Sequence, residues 1–182
     1  MEKIVNNRIL NNTKKIIKIC NEINIIPIIF GSVGYFLRTF DFEMLQKEEK
    51  EIGFNDLDFI VSQLELKILK NEFINLGYSL DLTWIDGYVG FVKGDKDNPY
   101  TIEDTSGIEI GPKRFELELD GFIYDFDALD EFVELDENTN IMVDGLMFKI
   151  ASINVLKECL KRELDYGWAN SNEKQKLERL SI

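Results

Sequence analysis

The sequence predicts an α+β protein: a mixed β-sheet flanked by helices, with a helical C-terminal tail. Two observations lead there. Short β-branched runs alternate with stretches of 3.6-residue apolar periodicity in the first half. Further along the chain, Asp-Gly pairs at Asp86-Gly87, Asp120-Gly121 and Asp144-Gly145 interrupt strand-like runs, as hairpin turns do.

Taken in order, Ile9, Leu10, Ile16, Ile17, Ile19 and Ile23 recur among Lys and Asn, which predicts a helix from Ile4 to Ile23 with one buried face. Ile25 to Phe30 lacks alternation and reads as a short strand buried on both faces. Gly31-Ser32 turns the chain, and a helix begins at Val33 and runs through Arg38. Residues Phe42 to Gly53 carry Glu43, Gln46, Lys47, Glu48, Glu49, Lys50 and Glu51, and read as a solvated insert, helix or loop. Leu57 to Val61 is the next strand. Leu64 to Leu76 is a helix striped by Leu66, Leu69, Phe73 and Leu76 and closed by Gly77.

Tyr78 to Ile85 and Tyr88 to Val92 flank the first hairpin signal, and Gly94 to Pro99 is a loop. Arg114 to Leu119 and Phe122 to Ala128 flank the second, and Met142 to Phe148 contains the third. A helix from Ser152 to Tyr166, N-capped by Ser152, and a polar helix near Asn172 to Leu180 complete the chain. This divides it into a sheet domain, 1–150, and a C-terminal helical segment, 151–182, packed on it.

Hydrophobic residues make up 45% of the 182, enough for one domain's core. No apolar run approaches the ~20 residues of a membrane span, and residues Met1 to Arg8 lack the apolar core of a signal peptide. The expectation is a soluble cytoplasmic protein that does not engage membranes, with Cys20 and Cys159 reduced, buried and structural. A net charge of −13 disfavours a nucleic-acid partner and suits a polycationic small molecule. The chain has 0 histidines, which excludes Ser-His-Asp triads, His-ligated zinc and a histidine general base.

Carboxylates are left to carry the chemistry. Asp56 and Asp58 are one residue apart on a strand and share a face. Two adjacent carboxylates repel unless a cation lies between them or one is protonated, and oxygen-binding Mg²⁺ suits such a pair. A third acid on a neighbouring strand would complete a cluster. Asp125 and Asp127 are both candidates, while Glu116 and Glu118 on the partner strand are rivals that read as an exposed edge. Gly31 and Ser32 sit where a helix N-terminus could hold phosphate, Gly31 by close backbone approach and Ser32 through its hydroxyl.

Ile28-Ile29-Phe30-Gly31-Ser32, Asp56-Leu57-Asp58-Phe59-Ile60 and Gly121-Phe122-Ile123-Tyr124-Asp125 together resemble the signature of the DNA polymerase β-like nucleotidyltransferase superfamily. Leu76-Gly77-Tyr78 adds similarity to the small nucleotidyltransferases of aminoglycosides and lincosamides. The chain departs from them in its 42–54 insert, in Asn55 before Asp56, and in Lys174-Gln175-Lys176-Leu177-Glu178 within the last helix.

The resemblance implies a nucleotidyltransferase-like sheet and transfer of a nucleoside monophosphate from an NTP co-substrate to a hydroxyl of a small molecule, a cationic antibiotic being one candidate. It further implies two Mg²⁺ ions held by Asp56, Asp58 and Asp125, triphosphate contacts from Gly31 and Ser32, and Asp125 as the catalytic base. Arg38 and Lys149 are candidates to neutralise phosphate. Two alternatives share the fold: a toxin–antitoxin or phage-defence nucleotidyltransferase acting on tRNA or protein, and an inactive binding domain.

Overall fold

Alternation of aromatic and acidic residues along one strand sets the two faces of the sheet. In Phe122–Ala128, the residues Phe122, Tyr124, Phe126 and Ala128 join the main core, while Asp125 and Asp127 lie between them. The computed structural model describes residues 2–51, 53, 56–78, 81–83, 92–93, 102–103, 109–110, 114–128, 138–165 and 169–181. Among them the strands are β1 (Ile28–Ile29), β2 (Asp56–Val61), β3 (Asp81–Thr83), β4 (Val92–Lys93), β5 (Ile102–Glu103), β6 (Glu109–Ile110), β7 (Arg114–Leu119), β8 (Phe122–Ala128), β9 (Thr139–Val143) and β10 (Leu146–Ile150). The helices are α1 (Glu2–Glu22), α2 (Gly31–Thr39), α3 (Phe42–Glu51), α4 (Gln63–Asn75), α5 (Ile153–Asp165) and α6 (Ser171–Leu180).

The protein is α+β. Eight strands form one sheet in the order β4-β3-β7-β8-β2-β1-β10-β9, and β5 and β6 pair separately. The sheet is mixed: β2 runs parallel to β8, and β1 parallel to β10, whereas β1 and β2 are antiparallel. Two hairpins form where Asp-Gly pairs stand. Asp120 and Gly121 have φ of 54° and 78°, and Asp144 and Gly145 have 52° and 77°, the doubly left-handed turn that matches strand twist. The Asp86-Gly87 turn, the 94–99 loop and Asn55 lie outside the described residues.

One face of the sheet packs Leu57, Phe59, Val61, Phe115, Tyr124 and Phe126 against Ile16 and Cys20 of α1 and Leu66, Leu69 and Phe73 of α4. Phe126 lies between Phe59 and Phe115 with ring centroids 4.9 and 4.8 Å away. The other face packs Ile28, Phe30 and Ile60 against Tyr35, Met44, Val155, Leu156 and Cys159. Cys20 and Cys159 therefore sit in separate cores, buried and outside any disulfide, and burial pushes the Cys20 thiol well above its ordinary range. Ser152 caps α5 as its sequence position predicts, accepting from the Val155 N–H at 3.2 Å. No helix among the described residues is long and apolar enough to cross a membrane.

Three expectations need correction. The β1 ladder covers only Ile28–Ile29, because Pro27 has no N–H to donate; its carbonyl still accepts from Lys149. The charged insert is a helix, but not a fully solvated one: Met44 and Glu48 of α3 are buried. β7 is covered by β3 from Arg114 to Glu116, and Glu116 is partly buried, whereas Glu118 beyond that pairing is exposed as expected.

The polar helix α6 is held to α2 and α3 by charge as well as by Leu180. Arg179 bridges to Asp41 at 2.6 Å and Glu43 at 3.2 Å, and Lys47 donates to Gln175 at 3.0 Å. Burial alone would raise the Asp41 carboxyl. The Met44 N–H, the Arg179 guanidinium and the Tyr35 hydroxyl outweigh that and hold it below the ordinary carboxylate value. For a depressed carboxylate, the stability it contributes is complete above its unfolded value of about 3.9 and is lost as pH falls through the lower folded value. Arg179 is 37% exposed, so screening limits the contribution to about 0.5–1 kcal/mol. Asp41→Asn is therefore expected to flatten the fall of Tm with acid below about pH 4, measured by thermal melts of both proteins across that range.

Candidate functional site

The antiparallel pairing of β1 with β2 brings the end of one strand to the beginning of the other. Ile29 is level with Phe59, and the Phe30 N–H donates to the Asp58 carbonyl at 3.1 Å. Gly31 and Ser32, the first residues of α2, thus stand beside the acidic start of β2. The parallel pairing of β2 with β8 sets Asp58 level with Asp125. Asp56, Asp58 and Asp125 form a cluster, each offering a carboxylate oxygen within 4.8 Å of the others. Asp125 is buried and the other two are partly exposed, so the cluster opens outward from the sheet.

The same register separates the two candidates for the third acid. Asp127 shares a face with Asp125 but is level with Ile60, one step further along β8, and lies outside the cluster. Glu116 is level with Asp125 on β7, and it too lies outside the cluster, as does Glu118 opposite Ile123.

Gly31 is fitted to this arrangement in two ways. Its φ is +62°, a region L side chains rarely adopt. A Cβ placed on it would lie 1.9 Å from Asp58 Oδ2 and 2.7 Å from its Cγ. Only a residue without a side chain lets the helix start touch the carboxylate. Gly34, one turn on, is similarly confined, its Cβ position being 2.8 Å from the Ile29 carbonyl oxygen.

No protein-family model matches the chain, and no curated protein matches it significantly. What the site can do follows from its own residues. Three carboxylates are an all-oxygen donor set, suited to a hard divalent cation such as Mg²⁺ and unsuited to thiophilic metals. The half-buried setting reinforces this, since clustered carboxylates that lose water gain most from a cation between them.

The two cations considered for phosphate are placed elsewhere. Arg38 donates from Nε to the Ala151 carbonyl at 2.9 Å, and from its two terminal nitrogens to the Ile150 carbonyl at 2.9 Å and the Thr139 hydroxyl at 2.8 Å. Its guanidinium pins α2 to the junction of β10 and α5. Lys149 is on β10, level with Ile28 and with β1 between it and β2. Arg38→Met would strip partners from two carbonyls, and its expected cost is about 2 kcal/mol. In a chain of this size that lowers Tm by about 4–8 °C. Arg38→Lys restores little of it, because an ammonium lacks the planar fork. Thermal melts of the three proteins measure this.

The cation that does reach the turn is Lys176 of α6. Its Nζ donates to Ser32 Oγ at 2.8 Å, pairs with Glu48 of α3, and lies 5.8 Å from the Tyr35 ring centroid. Lys176 and Glu48 are each 2% exposed. Neither residue is expected at the site from the sequence. No periodicity in the polar α6 marks Lys176 for burial.

Proposed function

We propose that the chain is a divalent-cation-dependent nucleotidyltransferase, moving a nucleoside monophosphate from an NTP to a hydroxyl of a small molecule. The observation that carries this reading is the contact between the helix start at Gly31-Ser32 and an acidic cluster of Asp56, Asp58 and Asp125. A helix start favours phosphate and an oxygen cluster favours Mg²⁺, and the triphosphate of an NTP is the ligand that needs both at once. The motif resemblance to polymerase β-like nucleotidyltransferases supports the same class.

Asp56, Asp58 and Asp125 would hold the cation. Bound there, Mg²⁺ would supply charge neutralisation at the reacting phosphate. The amide groups of the α2 start and the Ser32 hydroxyl would bind and orient the phosphate chain. Asp125, a carboxylate at the cluster and in a protein with 0 histidines, is the residue assigned to accept the proton of the attacking hydroxyl. The −13 charge favours a cationic acceptor of the aminoglycoside type over tRNA.

The test is incubation with labelled ATP, GTP, CTP and UTP, Mg²⁺ and a panel of aminoglycosides, lincosamides and bulk tRNA. Pyrophosphate release dependent on a small-molecule acceptor is the expected result. Release with tRNA alone would move the acceptor to nucleic acid. Absence of both release and NTP binding would remove the enzyme reading.

A further inference from the structure

Two elements outside the sheet, the insert helix α3 and the terminal helix α6, meet at one hydroxyl of the phosphate-facing turn. Glu48 comes from the first and Lys176 from the second, and both are withdrawn from water. A buried ion pair is a poor source of stability, because desolvation offsets most of its attraction. A role in positioning accounts better for its place. The Lys176 ammonium has donors only, so the Ser32 oxygen, 2.8 Å away, must accept. The Ser32 proton is then left for a different acceptor, and among the described residues no other hydrogen bond occupies this partly exposed hydroxyl.

We propose that the Glu48–Lys176 pair is a positioning device that fixes Ser32 as a hydrogen-bond donor to the phosphate chain. The proposal rests on the reading of the Gly31-Ser32 turn as a triphosphate site. Glu48 holds the ammonium in place, Lys176 occupies a lone pair of Ser32 Oγ, and the hydroxyl presents its proton to the ligand. The effect reaches the ligand through Ser32. Removing the pair and removing the hydroxyl should therefore not add.

The experiment is calorimetric titration of the full chain with Mg²⁺–tripolyphosphate and with the four Mg²⁺–NTPs. The proteins are the wild type, Ser32→Ala, the apolar pair Glu48→Leu/Lys176→Met, and the triple variant. Replacing both charges avoids stranding one of them in the core. Ser32→Ala is expected to weaken binding about tenfold, as loss of one hydrogen bond to a charged group does. The apolar pair is expected to weaken it by a similar factor, and the triple variant no further than Ser32→Ala alone.

The charge swap Glu48→Lys/Lys176→Glu keeps a pair in place and carries the test should the apolar pair unfold. Its carboxylate would draw the Ser32 proton away from the ligand, so its loss should exceed that of Ser32→Ala. Multiplying losses in the triple variant, or wild-type affinity in either pair variant, would overturn the device while leaving the nucleotide reading intact. A wild-type protein that binds neither tripolyphosphate nor any NTP would overturn both.

Discussion

Asp58→Asn is expected to lower the rate of nucleotidyl transfer about a thousandfold, with Tm within about 3 °C of wild type and no Mg²⁺-dependent rise in Tm. A thousandfold loss is about 4 kcal/mol, within the several kcal/mol that a bound cation contributes to phosphate charge neutralisation. Asn keeps the shape of Asp and can still hydrogen-bond, so the fold has little reason to change, but it brings no negative charge to the cluster. Asp58 is the sharpest position for this test, since it touches Gly31 and is level with Asp125. Asp127→Asn is the matched control. It removes an acid from the same face one step along β8 and outside the cluster, and less than a tenfold loss is expected. Turnover with Mg²⁺ titrated, alongside melts with and without Mg²⁺, measures both.

Gly31→Ala is expected to damage stability and turnover together. A left-handed φ costs an L residue about 1–2 kcal/mol, and the added methyl would enter the Asp58 carboxylate, 1.9 Å from Oδ2. Either α2 shifts or Asp58 turns out of the cluster. In both cases the carboxylate would no longer stand against the helix start. Gly53→Ala separates the two costs: its φ is +74°, with nothing within 4 Å of the Cβ position. That variant is expected to lose about 1 kcal/mol in a denaturant titration and to keep its turnover. Gly31→Ala is expected to lose more than 2 kcal/mol and at least a hundredfold in turnover.

What was legible in the sequence was local. The period-two spacing of Asp56 and Asp58, the Asp120-Gly121 and Asp144-Gly145 turns, the Ser152 cap and the Gly77 helix end are each encoded within a few residues. The choice between Asp125 and Asp127 was not legible. Both point to the same face, and only the register of β2 against β8, set by long-range packing, decides which is level with Asp58. Glu116 looked edge-like because its outer neighbour β3 is a short strand from distant sequence.

The Glu48–Lys176 pair escaped notice for a physical reason of another kind. Charged residues in charge-rich helices are nearly always solvated. Their burial here depends on α3 and α6 meeting across α2, which no periodicity within either helix records.

In the proposed function, Asp56, Asp58 and Asp125 form one cation site that works with the Gly31-Ser32 turn on a phosphate chain. Mn²⁺ binding followed by electron paramagnetic resonance, with and without a non-hydrolysable NTP, puts that to the test. Tight Mn²⁺ binding that strengthens with nucleotide, and is lost in both Asp56→Asn and Asp58→Asn but kept in Asp127→Asn, is the predicted result. Mn²⁺ binding unchanged by the first two substitutions would contradict it.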